Sequence, residues 1–118
     1  CNEAFEAVIS ALKPGTTAGQ VYQAWQDVVD QAGLTHYQRH HCGYVVGIGF
    51  PPSWVGGSSV TSLRRNSDLI LQTGMSFHIL SWLVGSGSGD YLLTDTAYIS
   101  DQGGVALRQF PVTPQILP

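Results

Sequence analysis

Three histidines and one tyrosine carry the chemistry this sequence could perform: His40, His41, Tyr44 and His78. An imidazole changes charge near neutral pH and can give or take a proton, and a phenol can donate or accept a hydrogen bond. His40, Tyr44 and His78 are the candidate catalytic groups, and His41 joins them as a candidate binding group. A zinc site is disfavoured, because His40 or His41 with His78 lacks a clear third ligand. Asp90 and Asp95 are the acids nearest these segments, and no Ser-His-Asp arrangement emerges from the spacing. Gly43, Gly47 and Gly49 do not form a phosphate loop, since no helix follows them. Each residue also has a commoner structural role. His78 could simply bond backbone or water, His40 and His41 could be exposed rings at a strand start, and Asp95 could cap backbone. Cys1 and Cys42 form neither a CxxC pair nor a disulfide framework, and Cys42 is expected to be a small buried apolar residue.

The elements that position these groups follow from periodicity. Phe5, Val8, Ile9 and Leu12 recur at helical spacing, with Asn2 as the expected N-cap, and Lys13-Pro14-Gly15 ends that helix. Thr17 and Gln20 have capping-box spacing, and Val21, Trp25, Val28, Val29 and Ala32 make the stripe of a second helix that stops at Gly33. From His40 the period falls to two. Gly43–Ile48 is an expected strand with Tyr44, Val46 and Ile48 on one face, and Pro51-Pro52 breaks it. Residues 53–68 are expected to be a long polar connection carrying solvated Arg64 and Arg65. Leu69–Leu71 and Gly74 then lead into a strong strand, Met75–Val84. There His78 and Leu80 share one face, and Met75, Phe77 and Ile79 share the other. Gly85–Gly89 is an expected hairpin tip before the strand Tyr91–Ile99. A turn at 101–104, a short strand Val105–Phe110 and a Pro-containing tail at 111–118 complete the chain. Two helices followed by consecutive antiparallel strands imply an α+β fold, with the helices on one face of a curved sheet.

At 118 residues the chain fits one domain, 1–118, large enough for a core without a disulfide or metal staple. Apolar residues make up 43% and charged residues 11%, against about 25% charged in an average globular domain. So few charges imply that part of the surface is covered by a partner. The net charge is −3 with five Lys plus Arg, which excludes a basic nucleic-acid surface. No apolar run reaches membrane-spanning length, and no signal-like segment opens the chain. A cytoplasmic setting is the default expectation.

Four segments, in order, resemble the pita-bread domain of the creatinase / Xaa-Pro peptidase family, which includes prolidase and aminopeptidase P. They are ALKPGTTAGQVYQAWQDVVDQAGL (11–34), HHCGYVVGIGFPPSW (40–54), LQTGMSFHILSWL (71–83) and YLLTDTAYISDQG (91–103). GYVVGIGFPPSW and GMSFHI look most like the creatinase-like branch that includes ectoine hydrolases. The resemblance covers about the second half of that family's domain. It implies half of a pita-bread fold, with the His78 face on the cleft side. The family's two metal-binding aspartates lie upstream of the matched part. Its three remaining ligand positions, one histidine and two glutamates, fall here on Tyr44, Leu80 and Thr94. A two-metal hydrolase needs oxygen and imidazole donors at such positions. Leucine offers none, and threonine and neutral tyrosine are poor replacements. The family's second histidine falls on Pro51, while its upstream substrate-side histidine is kept as His40. Creatinase works without metal through a histidine and carboxylates, and those positions are Tyr44, Leu80 and Thr94 as well.

The expected function is therefore that of a non-catalytic creatinase-like half-domain that has lost its metal ligands. It is expected to self-associate as a homodimer and to offer His40, His41, Tyr44, His78 and Thr94 to a small molecule. No metal or other cofactor is expected. A fragment of a metal-independent hydrolase acting on a C–N bond of a small amino-acid derivative is one alternative. A partner-binding module is the other.

Overall fold

A computed structural model gives the tertiary structure and describes residues 1–47, 60–87 and 89–108. Helix α1 spans Asn2–Ala11 and α2 spans Ala18–Gln31. Four strands follow: β1 (Gly43–Val45), β2 (Ser76–Leu83), β3 (Tyr91–Ser100) and β4 (Gly103–Ala106). They form one antiparallel sheet in the order β1-β2-β3-β4. Both helices pack on one face of it, the α+β arrangement that the hydrophobic periods predict.

Local sequence chemistry explains most of the boundaries. The Thr17 hydroxyl accepts from the Gln20 amide at 3.2 Å, and the Gln20 side chain accepts from the Thr17 amide at 2.9 Å. This reciprocal box satisfies two of the donors that a helix start leaves free. Gly33 sits at φ +81°, past the C-terminal end of α2, a left-handed conformation that glycine adopts without strain. At α1 the expectation fails. Cys1, not Asn2, is the N-cap, no side chain caps the end, and Asn2 is already helical.

The core lies between the helices and one sheet face. Phe5, Val8 and Leu12 meet Val21, Trp25 and Val29 there, with Phe77, Ile79, Ala97 and Ile99 below them. Trp25 is fully buried, yet its indole N–H still donates to the Ser81 hydroxyl at 3.3 Å. The Ser81 hydroxyl in turn donates to the Cys1 carbonyl at 2.7 Å, tying the start of α1 to β2. Cys42 is fully buried as expected. Ala32 is exposed rather than part of the core stripe, because α2 has ended by that point.

Two further expectations need correction. The last strand begins at Gly103, and the preceding turn holds only Asp101 and Gln102. Two glycines read as turn residues from sequence are strand residues because α1 lies directly over them. A Cβ on Gly104 would come within 2.5 Å of the Ile9 carbonyl oxygen. The second correction concerns the polar connection, which is not all loop. Ser62 and Leu63 are buried, and 61–63 hydrogen-bonds to the outer edge of β1. Arg64 and Arg65 are exposed, as expected. Ile48, Gly49, Pro51, Pro52, residues 53–59, Ser88 and 109–118 lie outside the described residues.

Candidate functional site

Because side chains alternate across a strand, burying Phe77, Ile79 and Ser81 under the helices turns Ser76, His78, Leu80 and Trp82 to the opposite, open face. Antiparallel pairing then dictates their neighbours. Tyr44 of β1 faces His78, and on the other side Thr96 of β3 faces His78. Thr94 faces Leu80. Residues directly opposite in such a pair have Cβ atoms about 5 Å apart, and diagonal neighbours remain within side-chain reach. Tyr44, Leu80 and Thr94 therefore form one contiguous patch, although they lie far apart in the chain.

The predicted ring cluster also assembles. The centroids of His40 and His41 are 5.9 Å apart, those of His41 and Tyr44 are 5.9 Å apart in an edge-to-face arrangement, and those of Tyr44 and His78 are 5.3 Å apart. His40 is exposed. His41 is not the exposed ring of its commoner structural role but is half-buried, and its Nδ1 has no hydrogen-bond partner among the described residues. Burial holds the His41 pKa below its ordinary value, and the neighbouring charges of His40 and Arg39 push it the same way. Cys42, next in the chain, takes no part. Burial pushes its thiol up to about 12, so it stays an inert thiol.

Three contributors escaped the sequence reading. The Arg39 guanidinium lies 4.2 Å from the ring centre of Trp82, a cation–π contact at one end of the open face. The only sequence signals were that Arg39 adjoins His40 and that Trp82 shares the period of His78. Thr96 was legible as the period-two neighbour of Thr94, but only strand register puts it opposite His78.

The acids stay apart from this cluster. Asp95 projects with Ala97 and Ile99 on the helix side, where its carboxylate accepts from the amides of Thr96 (2.7 Å) and Arg108 (3.0 Å). That is the backbone-capping role weighed for it. Arg108 also pairs with Glu6 at 2.9 Å and lies over the Phe5 ring. Asp90 accepts from the Gly85 amide at 2.7 Å across the hairpin. Thr94 is exposed on the open face.

The three positions that the resemblance aligns with metal ligands thus lie side by side and carry a phenol, an alkyl group and a hydroxyl. Among the described residues no group of three or more His, Cys, Asp or Glu side chains is placed to hold a metal ion. The residues present do not fit a two-metal centre.

Comparison with known proteins agrees with this fold. The profile of Metallopeptidase family M24 matches residues 1–107. Ectoine hydrolase of Halomonas elongata is 31% identical over 109 residues, which is 92% of this chain and 26% of that protein. The probable dipeptidase PepE of Mycobacterium tuberculosis is 31% identical over 107 residues, covering 89% of this chain and 26% of its own length. The chain therefore spans about a quarter of the curated relatives it matches. Among solved structures, dipeptidase PepE from Mycobacterium ulcerans superposes with a TM-score of 0.74 at 27% identity, over 92% of this chain and 28% of that one. Xaa-Pro dipeptidase from Bacillus anthracis, at 22% identity, shares the fold with a TM-score of 0.78 over 98% of this chain and 31% of its own. With the profile covering all but the last residues and the pita-bread neighbours superposing on both helices and the sheet, this chain belongs to metallopeptidase family M24.

Proposed function

We propose that this chain is a metal-free M24 half-domain without peptidase activity of its own, that it pairs with a second copy of itself, and that its open sheet face binds a small molecule. The observation that carries this reading is the contiguous Tyr44–Leu80–Thr94 patch, which supplies the geometry of a metal site without its donors. Self-association draws support from the same face. Leu92, Tyr98 and Val105 are exposed apolar side chains on β3 and β4, and Leu107 follows them. Covering such side chains with a second copy removes apolar surface from water. Light scattering at micromolar concentration tests the assembly, with a dimer expected. An assay for cleavage of a prolyl dipeptide in the presence of Mn²⁺ tests the chemistry, with no turnover expected. A strict monomer, or metal-dependent cleavage, refutes the corresponding part.

A second reading rests on the imidazole–phenol cluster together with the relative named ectoine hydrolase. In it, the chain is one part of a metal-independent hydrolase that cleaves a C–N bond of a small amino-acid derivative. A reading frame extending well upstream, with activity restored when the longer chain is expressed, supports this reading over the first.

A further inference from the structure

Two polar side chains of α2 are sealed inside the protein. Tyr22 is 1% and Gln26 3% exposed, and they stand one helical turn apart. Burying a phenol or an amide costs free energy unless each polar atom finds a partner, so a position that only fills space is better served by an apolar side chain. Their partners are backbone carbonyls of the segment between α2 and β1. The Tyr22 hydroxyl donates to the Arg39 carbonyl at 2.7 Å and shares its proton with the Gln26 side-chain oxygen at 3.1 Å. The Gln26 side-chain nitrogen donates to the Tyr37 carbonyl at 2.8 Å and to the Asp30 carboxylate at 2.9 Å. Side chains of the same segment reach the end of β2. The Tyr37 hydroxyl accepts from the Val84 amide at 2.9 Å, and the Arg39 guanidinium lies on Trp82.

We infer that Tyr22 and Gln26 are positioning residues for His40 and His41, gripping the carbonyls of Tyr37 and Arg39 so that the two imidazoles are held beside Tyr44. This deepens the small-molecule part of the proposed function and rests on it for its meaning. Tyr44 and His78 are placed by strand register. His40 and His41 belong to no helix or strand, and among the described residues the sheet-type backbone bonds reach back no further than Cys42. What orders the segment before Cys42 is therefore the grip from α2. Arg39 immediately precedes His40, and a peptide unit is planar, so fixing the Arg39 carbonyl fixes the plane from which the His40 backbone departs. Two buried bonds remove backbone freedom that a segment held only by its exposed side chains would keep. Helix α2 is itself anchored in the core through Val21, Trp25 and Val29, which refers the histidines to the same frame as the sheet.

The test is the pattern of ring-to-ring NOE cross-peaks in the folded protein, recorded below its melting transition. The wild-type chain is expected to show one cross-peak between His41 and Tyr44 and another between Tyr44 and His78. Tyr22→Phe combined with Gln26→Met nearly conserves side-chain volume and removes both grips. This double variant is expected to lose the His41–Tyr44 cross-peak and keep the Tyr44–His78 one, which strand pairing alone maintains. Tyr22→Phe by itself frees only the Arg39 carbonyl and decides the matter should the double variant not fold. It is expected to weaken the His41–Tyr44 cross-peak. Thr17→Ala weakens α2 at its cap without touching the grip, and is expected to keep both cross-peaks. If the His41–Tyr44 cross-peak is unchanged when the grips are removed, the inference is refuted. If Thr17→Ala has the same effect as the double variant, or if the Tyr44–His78 cross-peak is lost as well, the buried pair serves only stability and the positioning role is overturned. No ligand is added, so the result stands or falls separately from binding at the open face.

Discussion

Installing the donors that the resemblance aligns with Tyr44, Leu80 and Thr94 puts the proposed loss of metal ligands to a quantitative test. In the triple variant Tyr44→His, Leu80→Glu, Thr94→Glu, the two new carboxylates face each other across β2 and β3. Their Cβ atoms stand about 5 Å apart. At that distance two like charges repel by about 0.8 kcal/mol in bulk water and about 3 kcal/mol at the effective dielectric of a protein surface. Leu80 is half-buried and Thr94 exposed, so the true value lies between these limits. Removing the partly buried leucine costs about 1 kcal/mol more. The variant without metal is therefore expected to be destabilised by about 2–4 kcal/mol. A divalent cation held by both carboxylates and the new imidazole reverses the sign of the interaction. At 100 times its dissociation constant it returns about 2.7 kcal/mol. Urea denaturation of wild type and variant, each with and without Mn²⁺, reads these differences directly. Wild type is expected to show no metal-dependent shift, and the variant a clear one. A control with the same added charge, Leu92→Glu with Tyr98→Glu, places its carboxylates far apart along β3 and is expected to gain nothing from Mn²⁺. If the triple variant is indifferent to metal, or if wild type gains as much, the assigned register is wrong and the reading of lost ligands fails with it.

Other perturbations check the elements that hold the site. Trp25→Ala empties the centre of the core and removes the N–H that donates to the Ser81 hydroxyl, so equilibrium unfolding is expected to show a loss of about 3–5 kcal/mol. Gly104→Ala drives a methyl group against the Ile9 carbonyl and the Leu12 Cβ. Thermal melts are expected to report a cost of about 1–3 kcal/mol, and no loss would mean that α1 lies farther from β4. Thr17→Ala removes the capping box at the start of α2, with about 1 kcal/mol expected in urea denaturation. His41 has a folded pKa below its unfolded one, so the unfolded chain binds the proton more readily. Its contribution is complete above the unfolded value near 6.5 and is lost as pH falls from there toward the folded pKa. His41→Gln is expected to flatten the stability profile in that acidic window and leave it unchanged at pH 8.

Much of this protein could be read from short-range chemistry. The capping box at Thr17 and Gln20, the stop at Gly33, the buried stripe around Trp25 and the alternation that separates Phe77 from His78 are all properties of neighbouring residues. The backbone satisfies them locally, so sequence alone determined two helices, a curved antiparallel sheet and which face of β2 is open. Motif order added the family and, through the resemblance, the three positions proposed to have lost its ligands. What the tertiary structure decided was juxtaposition. Nothing near Arg39 announces that its guanidinium covers Trp82, and nothing near Gly104 announces that it is a strand residue under α1 rather than part of a turn. His41 became half-buried because the sheet and its neighbours close around it, and Asp95 was drawn to the amide of Arg108 on the helix side. Register and burial depend on contacts between distant segments, and no local periodicity encodes them.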